Sequence, residues 1–237
     1  MDDLFAPLDD HPAYRQIANV IEQRIVARSL RAGDPLPSET DLARQFGVNR
    51  STIREAIREL ETQGLLGRVR GKKRLRVTRP EPRRISSGVS RALALHDVTF
   101  SELWEAMMAI EPVAAQYAAM RRTAAQLQTL ERAAARFKRE AADTPAAVAA
   151  VVDFFTAVAA ASGNQVLALS QAPLNLLLAP TLTRMIDRVP QARARIQAAQ
   201  EKIADAIKLR RSEQARIWME KHIRDFKRGH DLESLEA

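Results

Sequence analysis

The sequence predicts a mainly α protein in two parts. The first is an N-terminal winged helix-turn-helix of three helices plus a small β-wing; the second is a C-terminal all-α antiparallel helical bundle of six or seven helices. Three observations carry this. Residues 36–64, LPSETDLARQFGVNRSTIREAIRELETQG, hold two short amphipathic helices that meet at a tight turn around Gly47. A strongly basic stretch with the look of two short strands follows at 65–77, LLGRVRGKKRLRV. From Phe100 onward, helix caps and apolar stripes succeed one another almost to the C-terminus.

Taken in order, the first element is a helix from Pro12 to Ala27, with Ile17, Ile21 and Ile25 spaced by four and Val20 beside them. Gly33, Asp34, Pro35 and Pro37 mark a loop. Ser38 suits an N-cap, and Glu39 and Asp41 put negative charge in the first turn, where the helix dipole favours it. Asn49 suits the N-cap of the next helix and Gly64 its C-terminal stop. Leu42, Ala43, Phe46, Val48, Ile53, Ile57 and Leu60 are expected to share one core, while Arg50, Ser51, Arg54 and Arg58 occupy the opposite face. Leu66, Val69, Leu75 and Val77 would cover the helix pair, with the wing turning at Gly71.

Composition narrows the function. The chain has 237 residues, 46% hydrophobic and 28% charged, as globular proteins do, and a net charge of +8 that favours a polyanionic partner, nucleic acid or an acidic membrane surface. Residues 68–84 carry nine Lys or Arg against Glu81 alone, an excess as large as that of the whole chain. Such a run displaces condensed cations from phosphates when it follows a DNA-reading helix pair. Cysteine is absent, which removes disulfides, thiol nucleophiles and Cys-based zinc sites. The acidic start MDDLFAPLDD has no signal-peptide core, and the Ala- and Val-rich stretch 141–161 is broken by Asp143, Pro145 and Asp153. The expectation is a cytoplasmic protein with no membrane partner. No G-x-G-x-x-G, P-loop, H-E-x-x-H or G-x-S-x-G motif is present, so an enzyme is not expected.

Domain boundaries follow composition: 1–79 for the winged helix-turn-helix, 80–90 for a linker containing Pro80, Pro82, Ser86, Ser87 and Gly88, and 91–237 for the helical part. In that last part Ser101 is read as a cap for a helix through Met120, and Thr123 with Gln126 as a capping box. Thr144 and Pro145 open the next helix, and Asn164 starts one toward Leu178. Pro180 starts or kinks another, Gln191 to Arg210 is one long helix, and Ser212 caps a last one to about Arg228.

The motifs LPSE, DLA, FGV, R-x-T-I-R-E-A and L-x-x-x-G-L-L, between Tyr14 and Val77, resemble the winged-helix domain of GntR-type bacterial transcription regulators. The resemblance implies DNA contacts at the start of the reading helix and at the wing tip. Position by position these fall on Asn49, Arg50, Ser51, Thr52 and Arg54, then Arg70, Gly71 and Lys72. Arg50 and Arg54 can fork onto guanine O6 and N7 or onto phosphate. Two departures stand out: a family arginine is replaced by Thr40, and the wing reads GKKRLRV instead of a Gly-x-Gly-Thr-Phe-Val pattern.

The segments IEPVAAQYAAMR (110–121), FFTAVAAASGN (154–164) and AI-x(11)-M-x-x-H-I (206–223) resemble the FCD domain of the FadR-like branch. That resemblance implies a homodimer on a palindromic double-stranded operator, modulated by a small molecule held among the helices. Many FCD domains bind a divalent metal through an Asp, and a His four residues on, plus one His on each of the last two helices. Here those positions carry Val151, Phe155, Gln200 and His222, so no metal cofactor is expected. An arginine that helps bind carboxylate effectors is replaced by Met107. An effector pocket at Met107, Val151, Phe155, Gln200 and His222 would be more apolar than usual. The alternative is that these residues are plain core and the helical part serves only dimerisation.

Overall fold

The computed structural model describes residues 12–68, 74–79, 82–140 and 142–235. The chain divides into two compact units, 1–84 and 85–237. In the first, α1 (Ala13–Val26), α2 (Glu39–Phe46) and α3 (Arg50–Gln63) are followed by β1 (Leu66–Arg68) and β2 (Leu75–Val77), paired antiparallel with Leu66 opposite Val77. Ser38 caps α2 by accepting from the Asp41 amide. Gly47 follows α2 at φ 67°, a left-handed conformation that lets the chain turn directly into α3. Ile17 and Ile21 of α1, Leu42 of α2, Ile53, Ile57 and Leu60 of α3 and Leu66, Leu75 and Val77 of the strands close one core. Phe46 and Val48, expected inside it, lie at its margin, half-buried.

The loop before α2 is more ordered than its Gly and Pro content suggests. The Leu36 amide donates to the Leu75 carbonyl at 3.0 Å, and the amides of Gly33 and Val77 donate to the carbonyls of Val77 and Asp34. β2 therefore has backbone partners on both edges, which anchors the base of the wing.

The boundary between the units falls inside α4 (Pro82–Leu95), most of which belongs to the second. A linker was expected over 80–90, and the two units do divide there, at 84/85, but the chain is helical from Pro82. Proline is tolerated in a first turn, and the Ser and Gly of this segment lie within the helix. Buried Ser90 donates its hydroxyl to the Pro173 carbonyl at 3.2 Å. Six longer helices complete the bundle: α5 (Phe100–Arg121), α6 (Ala124–Glu140), α7 (Thr144–Ala161), α8 (Gln165–Arg188), α9 (Ala192–Lys208) and α10 (Ser212–Leu235).

Their ends correct several expectations. α5 is capped by Thr99, not Ser101: the Thr99 side chain accepts from the Glu102 amide while Glu102 accepts from the Thr99 amide, a reciprocal capping box. The Thr123–Gln126 pair makes the same exchange before α6. α7 already includes Thr144, so Asp143 stands at its N-cap. α8 is a single helix that continues through Pro173 and Pro180, where a break was expected. Each proline removes a backbone donor, and burial of Leu174, Leu178, Leu182 and Ile186 holds the helix together across them. Near its end Pro190 can donate nothing to the Ile186 carbonyl, and Arg193 Nη1 supplies that donor at 2.8 Å. α10 runs past Arg228 to Leu235.

α7 is apolar nearly all round, with a mean hydropathy of 1.7 that would suit a membrane span by composition. Here its apolar residues are consumed by the bundle: Val148, Val151, Phe154, Phe155 and Val158 are buried. α10 packs along α5, where Trp104 Nε1 donates to the Ile223 carbonyl at 3.1 Å.

Candidate nucleic-acid interface

The surface that could meet DNA is built on the start of α3. Because Ile53, Ala56, Ile57 and Leu60 must face the core, the alternate face of the same helix is left outward. Arg50, Ser51, Arg54 and Arg58 lie on it, all exposed. Asn49 occupies the N-cap and is exposed, but its side chain makes no cap hydrogen bond, so its amide remains available to a ligand. Thr52 is half-buried, and Thr40, in the first turn of α2, is exposed. The proposed wing-tip residues Arg70, Gly71 and Lys72, with Val69, lie outside the described residues. A groove of about 800 Å³ runs past the first turn of α2, Arg50 of α3, and Arg68 and Arg74 beside the two strands.

One residue organises this face in a way the sequence did not announce. Glu39, at the first position of α2, accepts a hydrogen bond from Arg54 Nε at 2.9 Å and stands 3.9 Å from both Arg50 Nη2 and Arg68 Nη2. The bond from Arg54 holds the Glu39 carboxyl below the usual carboxylate range, with Arg50 and Arg68 adding to it. Arg68 Nε also approaches Glu61 at 3.3 Å. Local spacing explains Glu39 fully as a dipole-compensating acid. Its contact with a residue fifteen positions away exists only once α2 and α3 are packed.

The five residues singled out in the helical unit are all sealed: Met107 is 2% exposed, Val151 and Phe155 0%, Gln200 1% and His222 2%. The Phe155 and His222 rings stack at 5.8 Å between centroids, and the Phe226 ring lies 4.5 Å from His222. Burial pushes the His222 imidazole down to about 3, so it is neutral at physiological pH. Beside it is a void of only about 10 Å³. Phe226, beside Phe155 and His222, and Glu111 on α5 were not singled out from sequence; both sit on long helices whose faces are fixed by packing. Glu111 on α5 is fully buried, and burial pushes its carboxyl up to about 8. Gln171 lies beside Glu111, yet neither carboxylate oxygen finds a hydrogen-bond partner; both atoms of the Gln200 amide and Nε2 of His222 are also unpartnered.

A divalent cation replaces its water with several N or O donors. The positions that the FCD resemblance assigns to a metal offer one imidazole and one amide, beside a valine and a phenylalanine with no donor at all. That set does not fit such an ion. Among the described residues no three His, Asp or Glu side chains converge.

A helix pair presenting an arginine-bearing face beside a two-stranded wing defines a winged-helix DNA-binding protein. Comparison with known proteins agrees. A family model described as "Bacterial regulatory proteins, gntR family" matches residues 13–73, and one described as "FCD domain" matches residues 102–225. The chain belongs to the GntR family of bacterial transcription regulators, in the branch that carries an FCD domain, and is not an enzyme. The HTH-type transcriptional repressor NanR of Cronobacter sakazakii is 29% identical over 177 residues, 73% of this chain and 68% of that one. The mannosyl-D-glycerate transport/metabolism system repressor MngR of Escherichia coli is 45% identical over 60 residues, 25% of either chain. The solved structure of a GntR protein from Streptococcus agalactiae superposes with a TM-score of 0.64 at 26% identity, covering 91% of this chain and 99% of that one.

Proposed function

We propose that the chain is a sequence-specific repressor that binds a palindromic operator as a homodimer and responds to a small molecule within its helical unit. The observation that carries the DNA half is the exposed face of α3, which bears Arg50 and Arg54, with Arg50 lining a groove together with Arg68 and Arg74. Repression is carried over from what the relatives' names say of them. The dimer is supported by α8: residues 154–183 contain no charged side chain, yet Val166 is 71%, Leu169 36% and Leu176 48% exposed. These three fall on one stripe of the helix, and depletion of charge marks surfaces that pair. Fluorescence anisotropy against fragments of the source genome should show site-selective, salt-sensitive binding, and light scattering a mass of twice the 26.4 kDa chain. Binding that is indifferent to sequence, or a monomeric mass on the operator, would sink the reading.

The ligand half is supported by the unpartnered polar atoms of Glu111, Gln200 and His222 inside the bundle, since buried polar groups ordinarily find partners. The second reading, dimerisation alone, is favoured by the packing of Phe155, His222 and Phe226 around a void barely the size of one water. A thermal-shift screen of carboxylates and apolar acyl derivatives separates the two: stabilisation by one class supports the ligand, and a flat response to both supports dimerisation alone.

The helical unit is also expected to hold no metal. Elemental analysis of the purified protein should find less than a stoichiometric amount of any divalent ion, and treatment with a chelator should leave the melting curve in place. One tightly held ion per chain would reverse this.

A further inference from the structure

We propose that Glu39 is a positioning residue for sequence discrimination: its carboxylate fixes the pose of Arg54 and restrains Arg50 and Arg68 from gripping duplexes of the wrong sequence. The inference rests on the reading of α3 as the DNA-contacting helix and adds to it a residue that is not itself a donor to DNA.

The geometry is specific. Arg54 spends Nε on Glu39 at 2.9 Å, which leaves both Nη groups without a partner among the described residues, on a guanidinium whose plane is already held. A guanine offers O6 and N7 to such a pair of donors. On a mismatched base, Arg54 would have to swing toward a phosphate, and doing so breaks its bond to Glu39. Arg50 and Arg68 feel the same carboxylate, each with Nη2 3.9 Å away. Glu39 is only 23% exposed in its side chain, whereas the arginines are about half exposed at 57%, 53% and 47% for Arg50, Arg54 and Arg68. The acid is thus set behind the basic face, within reach of all three cations.

Its charge also acts on DNA as a whole. Phosphate contacts give affinity without sequence information, through release of condensed cations. A carboxylate beside the reading arginines offsets part of that attraction for every duplex. The matching sequence regains it through the pre-aimed pair of donors, and other sequences do not. Discrimination is a difference between two affinities and is raised as effectively by weakening the wrong complex as by strengthening the right one.

The test uses the full-length protein and two probes: an operator duplex selected by the wild type from genomic fragments, and a scrambled duplex of the same length and composition. Anisotropy titrations between 50 and 200 mM salt (roughly the range over which phosphate contacts are resolved) give both affinities and their salt slopes. Glu39→Ala should bind the scrambled duplex about 3–10-fold more tightly, with a slope steeper by up to about one phosphate contact, and the operator-to-scrambled ratio should fall about fivefold or more. Glu39→Gln loses the charge but keeps a carbonyl that can accept from Arg54 Nε. It should show the raised scrambled affinity while retaining part of the ratio, and it also guards against a folding defect in the alanine variant. In an Arg54→Ala background the effect of Glu39→Ala on the ratio should vanish. An unchanged ratio and slope, equal loss on both duplexes, or an effect that persists without Arg54 overturns the proposal while leaving DNA binding intact. A wild type that selects no duplex overturns the DNA reading and this inference together.

Discussion

Replacing Glu111 by Gln should raise the melting temperature of the helical unit at pH 8.5 and leave it nearly unchanged at pH 5. Glu111 is fully buried, and burial raises its carboxyl from 4.5 to about 8. A carboxyl raised in the fold holds its proton in the folded state where the unfolded chain has released it. The associated stability is therefore complete below about pH 4.5 and is lost progressively as pH rises toward 8. The full loss is on the order of 5 kcal/mol. Glutamine has the same shape and no charge to bury, so the fall toward pH 8 should be absent from its curve, leaving only the rise up to about pH 6.5 that His222 contributes. His222 works from the other side. Burial lowers it from 6.5 to about 3, so the neutral ring is favoured in the fold and its stability is lost as pH falls below about 6.5 toward 3. The two windows overlap between pH 4.5 and 6.5, where the slopes oppose each other. The wild-type unit should thus be most stable in mild acid. Parallel melting curves for the wild type and Glu111→Gln from pH 5 to 8.5 would show that Glu111 ionises freely inside the bundle.

The second large effect is expected on the operator. Arg54→Ala should weaken operator binding by about 1–3 kcal/mol and relax the preference at one base-pair position. The same loss spread evenly over every single-base variant of the operator would mean that Arg54 touches only phosphate. Arg50→Ala provides the comparison, because Arg50 lies one turn earlier on the same face and is drawn to Glu39 without a hydrogen bond, at 3.9 Å. A truncated Arg54 also leaves the Glu39 carboxylate without its closest cation, so affinity for unrelated duplexes should fall as well, though by less than operator affinity.

The DNA-facing half was legible because local rules settle it. Gly47 and Gly64 sit where the chain turns left-handed, Ser38 caps the helix it precedes, and the spacing of Ile53, Ile57 and Leu60 decides which way Arg50 and Arg54 point. The misreadings share a cause too. Pro82, Ser86, Ser87 and Gly88 carry loop propensities, yet Pro82 opens a helix that runs through the others; Pro173 and Pro180 carry break propensities, which tertiary packing of α8 overrode. The distinction between a pocket and a core at Val151, Phe155 and His222 depends on whether rings from α7 and α10, two helices far apart in sequence, meet. No periodicity records that. Glu39 shows the same limit in the opposite direction, because a locally sufficient reason for its presence concealed its contact with Arg54.

The uncharged run from 154 to 183 has a consequence for the life of the chain before and after it is folded. Nearly all of α7's second half and most of α8 lie in it, with no lysine or glutamate to repel a neighbouring chain. While the bundle is intact, Phe154, Phe155, Leu178 and Leu182 are out of reach. Once it opens, thirty consecutive residues without charge are presented at once, and unfolded molecules should adhere faster than they refold. The lifetime of the protein on heating is then governed by how quickly the bundle opens, and its apparent melting point moves with the rate of the scan.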